Sequence, residues 1–452
     1  MGFQQGLSGL NVSSKNLEVI GNNIANSNTY GAKTARAEFA DMYAAALNGS
    51  GSNNIGIGAM VGAVAQQFTQ GNITTTENPM DLAVNGNGFF QVQDDRNQTY
   101  YTRNGQFKID RDGYIVNNSG HSLLGFQADS TGTITNTSEM VPLQLTTGGI
   151  SPQQSSKVTL EMNLKSTANT LSTAIDFSDA STYSYTTSQT VYDVKGQPVG
   201  LGYYYQKTGD DSWDMYVTAN GTSIQTDGSG NPMKVATINF PATGGTATDL
   251  TNGSPVAGDP GTITTYDASG NATGTSSTGS FTLPDIPSVT VSSTTSSATP
   301  STTEVISGIT MDFSNSTEYG SNFSVTNMSQ DGYAPGDLSS ITVDSSGVVL
   351  ARYSNGQSKP AGQIVMASFR NPQGLQPIGN NEWQATYASN AAVTGTPGTG
   401  NLGLLQSGAL EESNVDLTGE LVNMMVAQRM YQANAQTIKT EDQVMQTLVN
   451  IR

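Results

Sequence analysis

The 452-residue chain contains no cysteine and one histidine, His121. Without cysteine there is no disulfide framework and no thiolate metal site. A lone histidine with no acidic cluster close in sequence is a poor metal ligand set or catalytic base. Charged residues make up 12% and hydrophobic residues 35% of the chain. The hydrophobic content is low, which fits exposed all-β domains with many turns, or partial disorder. No apolar run approaches the roughly 18 residues that a membrane-spanning helix requires. Met1 to Leu10 lacks a basic start and an apolar stretch, so no cleavable secretory signal is expected. This leaves a cytoplasmic protein or one exported by a route that reads an uncleaved N-terminus.

What is present in quantity is turn and strand chemistry. Glycine numbers 50, and Ser, Thr and Asn dominate the middle of the chain. With Val, Ile and Tyr between the turns, that composition predicts exposed all-β domains. The length suggests more than one domain. The formal charge is −18, and residues 151–360 carry 18 acidic against 7 basic groups. Such a surface repels nucleic acid and anionic membrane and keeps the chain soluble.

The two ends differ from the middle. Residues 1–50 and 407–452 carry amphipathic helical patterning. Leu10, Leu17 and Ile24 are spaced by sevens, with Ile20 at the other seam position and Leu7 one turn before Leu10. The pattern stops at the turn formers Asn26 to Gly31. Ser413 to Asp416 resembles a capping box, with Ser413 as the cap and Asp416 three residues on. Beyond it Leu421, Met424, Gln428, Tyr431, Ala435, Ile438, Asp442, Met445 and Val449 alternate steps of three and four. Gln428 and Asp442 are polar seam positions that weaken the stripe and set register. The stripe fits a coiled-coil partner or an amphipathic helix lying on its own domain.

Between the ends, Leu82–Val84, Asn85–Gly88 and Phe89–Gln93 predict strand, tight turn, strand. Tyr100–Arg103 turns at Asn104-Gly105 into Gln106–Ile109, and Asp112-Gly113 turns into Tyr114–Val116. Further strands are expected at 158–164, 190–193, 201–206, 212–218, 234–240 and 363–369. Residues 242–303, rich in Thr, Ser and Gly, are expected as long loops of a β domain. Pro360 and the glycines near 395–403 mark boundaries.

No arrangement of nucleophile, base and orienting group is found. Asp94-Asp95, Asp110 with Asp112, and Asp210-Asp211 lack EF-hand spacing and are better explained as turn and surface residues than as glycosidase or calcium carboxylates. Gly86-Asn87-Gly88 and Gly56-Ile57-Gly58 do not extend into a phosphate-binding motif. Trp213 and Trp383 are expected in cores. The expectation is a non-enzyme with no catalytic residue, metal or cofactor.

Three motifs carry a family resemblance. Ser8-Gly9-Leu10-Asn11 followed by Leu17 to Asn26 resembles the N-terminal signature of bacterial flagellar rod and hook axial proteins. Asn78-Pro79-Met80-Asp81-Leu82-Ala83-Val84-Asn85-Gly86-Asn87-Gly88-Phe89-Phe90 resembles their second shared motif. Gly408 to Asp416 with the helix after it resembles their C-terminal motif. The long insert, about 145–360, with Thr190-Val191-Tyr192-Asp193 and Ala367 to Leu375, resembles the hook members more than the shorter rod members. The motifs cover about 200 residues.

The resemblance implies a mainly β chain with α-helical termini, the helices pairing in a coiled-coil-like inner domain below two or more outer β domains. The expected division is 1–70 and 407–452 for the inner domain, 71–145 with 360–406 for a β domain, and 146–359 for the outer β region. It implies a subunit that polymerises into a curved, flexible tube passing torque from rod to filament. Implied partners are other copies of the chain, the flagellar rod, the hook cap, the hook–filament junction proteins and the type III export apparatus, with no nucleic acid and no membrane insertion. The implied location is the flagellar hook outside the cell. Leu10, Leu17, Ile20, Ile24, Leu421, Met424, Tyr431, Ile438 and Met445 are the expected assembly surface. A distal rod protein, or an acidic secreted β adhesin or carbohydrate-active enzyme, is the alternative; the last two leave the helical ends unexplained.

Overall fold

The computed structural model describes residues 2–42, 56, 58–129, 131–135, 139–145, 148–242, 246, 261–291 and 301–450. The chain is mostly β, with a helix near each end, α1 (Gly2–Ala25) and α2 (Leu417–Asn450). It divides into two compact units: residues 1–147, 339–352 and 358–452 form the first, and 148–338 with 353–357 the second.

In the first unit the two helices pack against each other. They run antiparallel: Asn23 meets Glu420 and Ser13 meets Asn434, while a side chain at Gly6 would meet Ile438. The helical ends are shorter than expected. Ala35–Met42 is a strand, paired antiparallel with Gly58–Gln66 as an isolated two-stranded ribbon. Ala409–Glu411 is a strand as well, paired with Ile73–Thr75. The cap also differs from expectation. Asp416, not Ser413, immediately precedes α2, and its carboxylate accepts from the Thr418 N–H at 3.1 Å. A carboxylate there also complements the positive N-terminal end of the helix dipole.

The expected hairpin across Gly86-Asn87-Gly88 is not formed. Leu82–Asn85 pairs with Leu404–Ser407, while Phe89–Gln93 pairs with Thr99–Thr102, Ser122–Gln127 and Met366–Ser368. The glycine run passes the chain from one sheet to another. Gly86 and Gly88 hold φ of 115° and 127°, and the backbone of Gly403 lies against Gly86. Nor does Asn104-Gly105 close a hairpin, since Thr99–Thr102 pairs onward with Glu382–Gln384. Asp112-Gly113 does, joining Lys108–Ile109 to Ile115–Val116.

The second unit holds two main sheets and a small two-stranded one, Thr290–Val291 with Ser301–Thr302. One main sheet is an antiparallel meander of Tyr185–Tyr192, Pro198–Gly209, Ser212–Ala219, Ala236–Asn239, Thr262–Tyr266 and Ala272–Ser276. The other is built on Lys157–Lys165, antiparallel to Ser324–Gln330 and parallel to Thr310–Asp312 and Thr317–Tyr319. Their inner faces share one core, including Trp213, Tyr203, Val158, Leu160 and Phe313. Part of the stretch expected as loops is therefore strand, because β-branched Thr at Thr262, Thr264 and Thr265 suits a pleated surface. Residues 243–245, 247–260 and 292–300 of that stretch lie outside the described residues. Trp383 is buried in the first unit as Trp213 is in the second.

One turn recurs across both units. An Asp or Asn accepts, through Oδ1, the backbone N–H groups two and four residues on. It occurs at Asp94, Asp110, Asn117, Asp129, Asp193, Asp227, Asp267 and Asp344. The fourth residue has positive φ and is glycine at all but Asn97. This is the Asx-turn logic of a side chain standing in for a backbone acceptor. It accounts for the acidic residues Asp94 and Asp110 as turn-formers.

Candidate assembly surface

The helix pair is joined through small and polar residues. On α1 the buried positions are Gly6, Ser13, Ile20 and Asn23. The steps of seven from Gly6 to Ser13 to Ile20 keep the heptad spacing, but the stripe is set to one side of the apolar one. A Cβ on Gly6 would lie 3.0 Å from Ile438, and one on Gly9 within 2.9 Å of the Asn434 side chain. Side-chain-free positions thus let the two helices approach closely. Asn434 also donates to Ser13 Oγ at 3.3 Å. Leu10, Leu17 and Ile24 are half-buried at the edges of this contact, and Ile20 is buried within it.

On α2 the inward stripe is Glu420, Met424, Ala427, Asn434, Ile438 and Glu441. Of the expected positions, Met424 and Ile438 are half-buried on this side and Tyr431 is largely exposed. Met445, two turns beyond Ile438, is 59% exposed, and Leu421 is 47% exposed. Other apolar residues of both helices are open to solvent, with Val426 and Met430 lining a cavity that α1 also lines. Val422, Met425, Val426 and Met430 on α2, and Phe3 and Leu7 on α1, are all exposed. Many large apolar side chains left exposed on two short stretches of helix point to an interaction surface rather than to a free face.

Below the helices the chain is locked by buried polar groups. The Glu411 carboxylate accepts from Lys33 Nζ at 2.5 Å and from Arg103 Nη1 at 3.0 Å, with all three side chains at most 3% exposed. It also accepts the Gly71 N–H at 2.9 Å, and Lys33 donates on to the Thr69 carbonyl. Burial pushes the Lys33 ammonium below its ordinary value; the Glu411 charge opposes that and the Arg103 charge adds to it. Asn23 clips the ribbon to α1, donating to the Ala35 carbonyl and accepting the Ala35 N–H. Asn414 accepts from the Thr34 N–H and donates to the Gln67 carbonyl. Periodicity points to apolar positions and passes over these polar residues. Their signal lies elsewhere, in polar side chains set within the shared motifs: Asn23 after Gly21-Asn22, and Glu411 and Asn414 around the strand before α2.

The histidine takes part in a smaller cluster. His121 Nδ1 lies 3.1 Å from the buried Glu382 carboxylate, which accepts from Asn117 Nδ2 at 2.6 Å, and the imidazole stacks on Tyr100. Among the described residues no group of acidic and histidine side chains could hold a metal ion, and no helix is long and apolar enough to cross a membrane.

Comparison with known proteins follows the same geography. Residues 3–33 match the family described as flagella basal body rod protein, and 83–168 the flagellar hook protein FlgE/F/G D1 domain. Residues 163–333 match the flagellar basal body protein FlaE D2 domain, and 406–451 the flagellar basal body rod FlgEFG protein C-terminal family. The chain is 39% identical to the flagellar hook protein FlgE of Salmonella typhimurium, over 100% of both chains. It is 38% identical to that of Escherichia coli, again over 100% of both. Against that of Rhizobium meliloti it is 32% identical, over 100% of this chain and 98% of the other. Among solved structures, the Helicobacter pylori flagellar hook protein FlgE2 aligns with a TM-score of 0.49 at 15% identity, over 75% of this chain and 100% of that one.

Proposed function

The chain belongs to the flagellar hook protein family and is a structural subunit of the bacterial flagellum, and from that premise we propose how it assembles and works. Copies stack through α1 and α2 into a helical homopolymer, a curved and flexible tube that carries torque from rod to filament. One observation supports this most: the contact within a subunit uses Gly6, Gly9, Ser13, Asn23 and Asn434, while large apolar residues are left exposed on both helices. Small and polar residues fix how the two helices meet. The exposed set supplies the apolar area that copies bury against each other, each fully buried side chain contributing about 1.5–3 kcal/mol. A head-to-tail contact that does not close into a ring yields a filament.

The β regions form the outer layers of the tube. The division into an inner domain of 1–70 and 407–452, a β domain of 71–145 with 360–406, and an outer region of 146–359 follows this layering. Polar Ser/Thr/Asn-rich surfaces suit interfaces that slide during bending, because water replaces lost contacts. The polymer meets the rod at its base and the cap and junction proteins at its tip. The chain leaves the cell through the type III export channel without a cleaved signal, and the chemistry performed is mechanical, not enzymatic.

Of the expected surface, Leu421, Tyr431 and Met445 belong to the contact between copies. Leu10, Leu17, Ile20, Ile24, Met424 and Ile438 lie at or beside the helix pair and shape the surface from within. The test is the double substitution Leu421→Asp and Met425→Asp. Helix content and monomer stability should be unchanged, while polymer formation and motility are lost. Lys439→Ala, on an exposed position of the same helix, should assemble normally, since a solvated lysine carries little contact energy. Normal hooks from the double variant would remove the outer face of α2 from the assembly surface.

A further inference from the structure

We propose that a cleft in the first unit, beside Arg103, is a carboxylate-binding site that takes an acidic side chain from a second copy of this chain. The cleft has a volume of about 550 Å³ and is lined by Phe68, Phe89, Phe369, Arg103, Arg370 and Val393, among others. It is separate from the helix faces and rests on the reading of the chain as a polymer-forming subunit.

Three observations carry it. The first is an imbalance of buried charge. Arg103, which lines the cleft, shares the single carboxylate of Glu411 with the buried Lys33, so the buried cations of this cluster outnumber its anions. The second is an unused donor. Arg103 Nε is buried and makes no hydrogen bond among the described residues. A guanidinium presents its N–H groups as a planar fork matched to a carboxylate, and a buried one left unpaired is unusual. The third is the lining. Phe89 lies under the Arg103 guanidinium at 5.3 Å and edge-on to Phe68 at 5.4 Å and Phe369 at 5.9 Å. Aromatic walls keep water out and strengthen any charge pair formed between them. Arg370 at the rim is exposed, with no ion pair among the described residues.

Charge complementarity selects the occupant. The chain carries a net −18, so this cationic, aromatic cleft is opposite in sign to most of the surface that other copies present. In a polymer, neighbours are held at high effective concentration, which makes one buried Arg–carboxylate contact per subunit effective.

The test uses assembled polymer of the full chain with a photo-crosslinking benzophenone amino acid in place of Val393, which lines the cleft and is 59% exposed. Irradiation should give subunit-to-subunit crosslinks that map by mass spectrometry to a peptide containing Asp or Glu. Adding Arg370→Glu should reduce their yield at least several-fold, and Arg370→Lys should largely preserve it. A folded Arg370→Glu chain that no longer assembles, while Arg370→Lys does, supports the site in the same way. Crosslinks confined to one chain, or a yield indifferent to Arg370→Glu, would overturn it. Polymer formation by the unsubstituted chain reports separately on the function proposed above.

Discussion

Replacing Glu411 with Gln probes the buried lock below the helices with almost no change of shape. The carboxylate receives Lys33 at 2.5 Å, Gly71 N–H at 2.9 Å and Arg103 at 3.0 Å. The amide retains one acceptor oxygen but removes the charge, leaving two buried cations facing each other. Removing one partner of a buried ion pair costs about 3–5 kcal/mol, a large part of the roughly 5–15 kcal/mol that stabilises a domain. With a urea dependence of about 2–3 kcal/mol per molar, the unfolding midpoint of the first unit should fall by about 1–2 M. Fluorotryptophan labelling gives the assay, because Trp383 lies in the first unit and Trp213 in the second. The Trp383 resonance should report the loss, and the Trp213 resonance should keep its midpoint. The pH response has a definite sign. Burial holds Lys33 below the ordinary 10.5, so between its lowered value and 10.5 the unfolded chain binds more protons there, and stability rises with pH. Glu411→Gln removes the anion that raises Lys33 and extends that window downward, so the variant should recover more stability than the parent as pH rises towards 10.5. A midpoint shift under about 0.3 M by the same relation, or equal shifts in both resonances, would refute the reasoning.

Two further outcomes follow from the turns and from a close backbone approach. Asp94 and Asp267 are held below the usual carboxylate range, chiefly by the backbone N–H groups of Gln98 and Asn271. Their contribution is complete above the unfolded value, near 3.8, and is lost as pH falls through the lower folded value. Asn117 makes the same turn without a charge, so Asp94→Asn with Asp267→Asn should keep the fold and flatten thermal stability across that acid window; an unchanged slope would count against these turns as its source. A Cβ at Gly105 would lie 1.6 Å from the Leu82 carbonyl oxygen, whereas one at Gly228 has open space. Gly105→Ala should abolish soluble folded protein and Gly228→Ala should leave the melting temperature nearly unchanged; comparable melting curves for the two would contradict the close approach.

The sequence by itself determined the elements that depend on local periodicity. A repeat near 3.5 residues marked both terminal helices, alternation marked the strands from Lys157–Lys165 through Ser212–Ala219, and the run from Asp112 to Val116 marked its hairpin. Each is a property of neighbours along the chain, so it is legible without knowing the partner. Tertiary structure decided what the elements meet. The apolar stripe of α1 was visible, but apart from Ile20 the buried side is the one with Gly6, Ser13 and Asn23, because Gly6 and Gly9 carry no side chain to hold Ile438 and Asn434 away. Leu82–Asn85 left its apparent hairpin for Leu404–Ser407, some three hundred residues away, since a tight turn permits a pairing but does not require it. Lys33, Arg103 and Glu411 come from three distant segments, and none is notable until burial removes water and forces them to satisfy one another. Period is written locally; phase, pairing and buried charge depend on long-range packing, where the free energy of a contact depends on what it excludes from solvent.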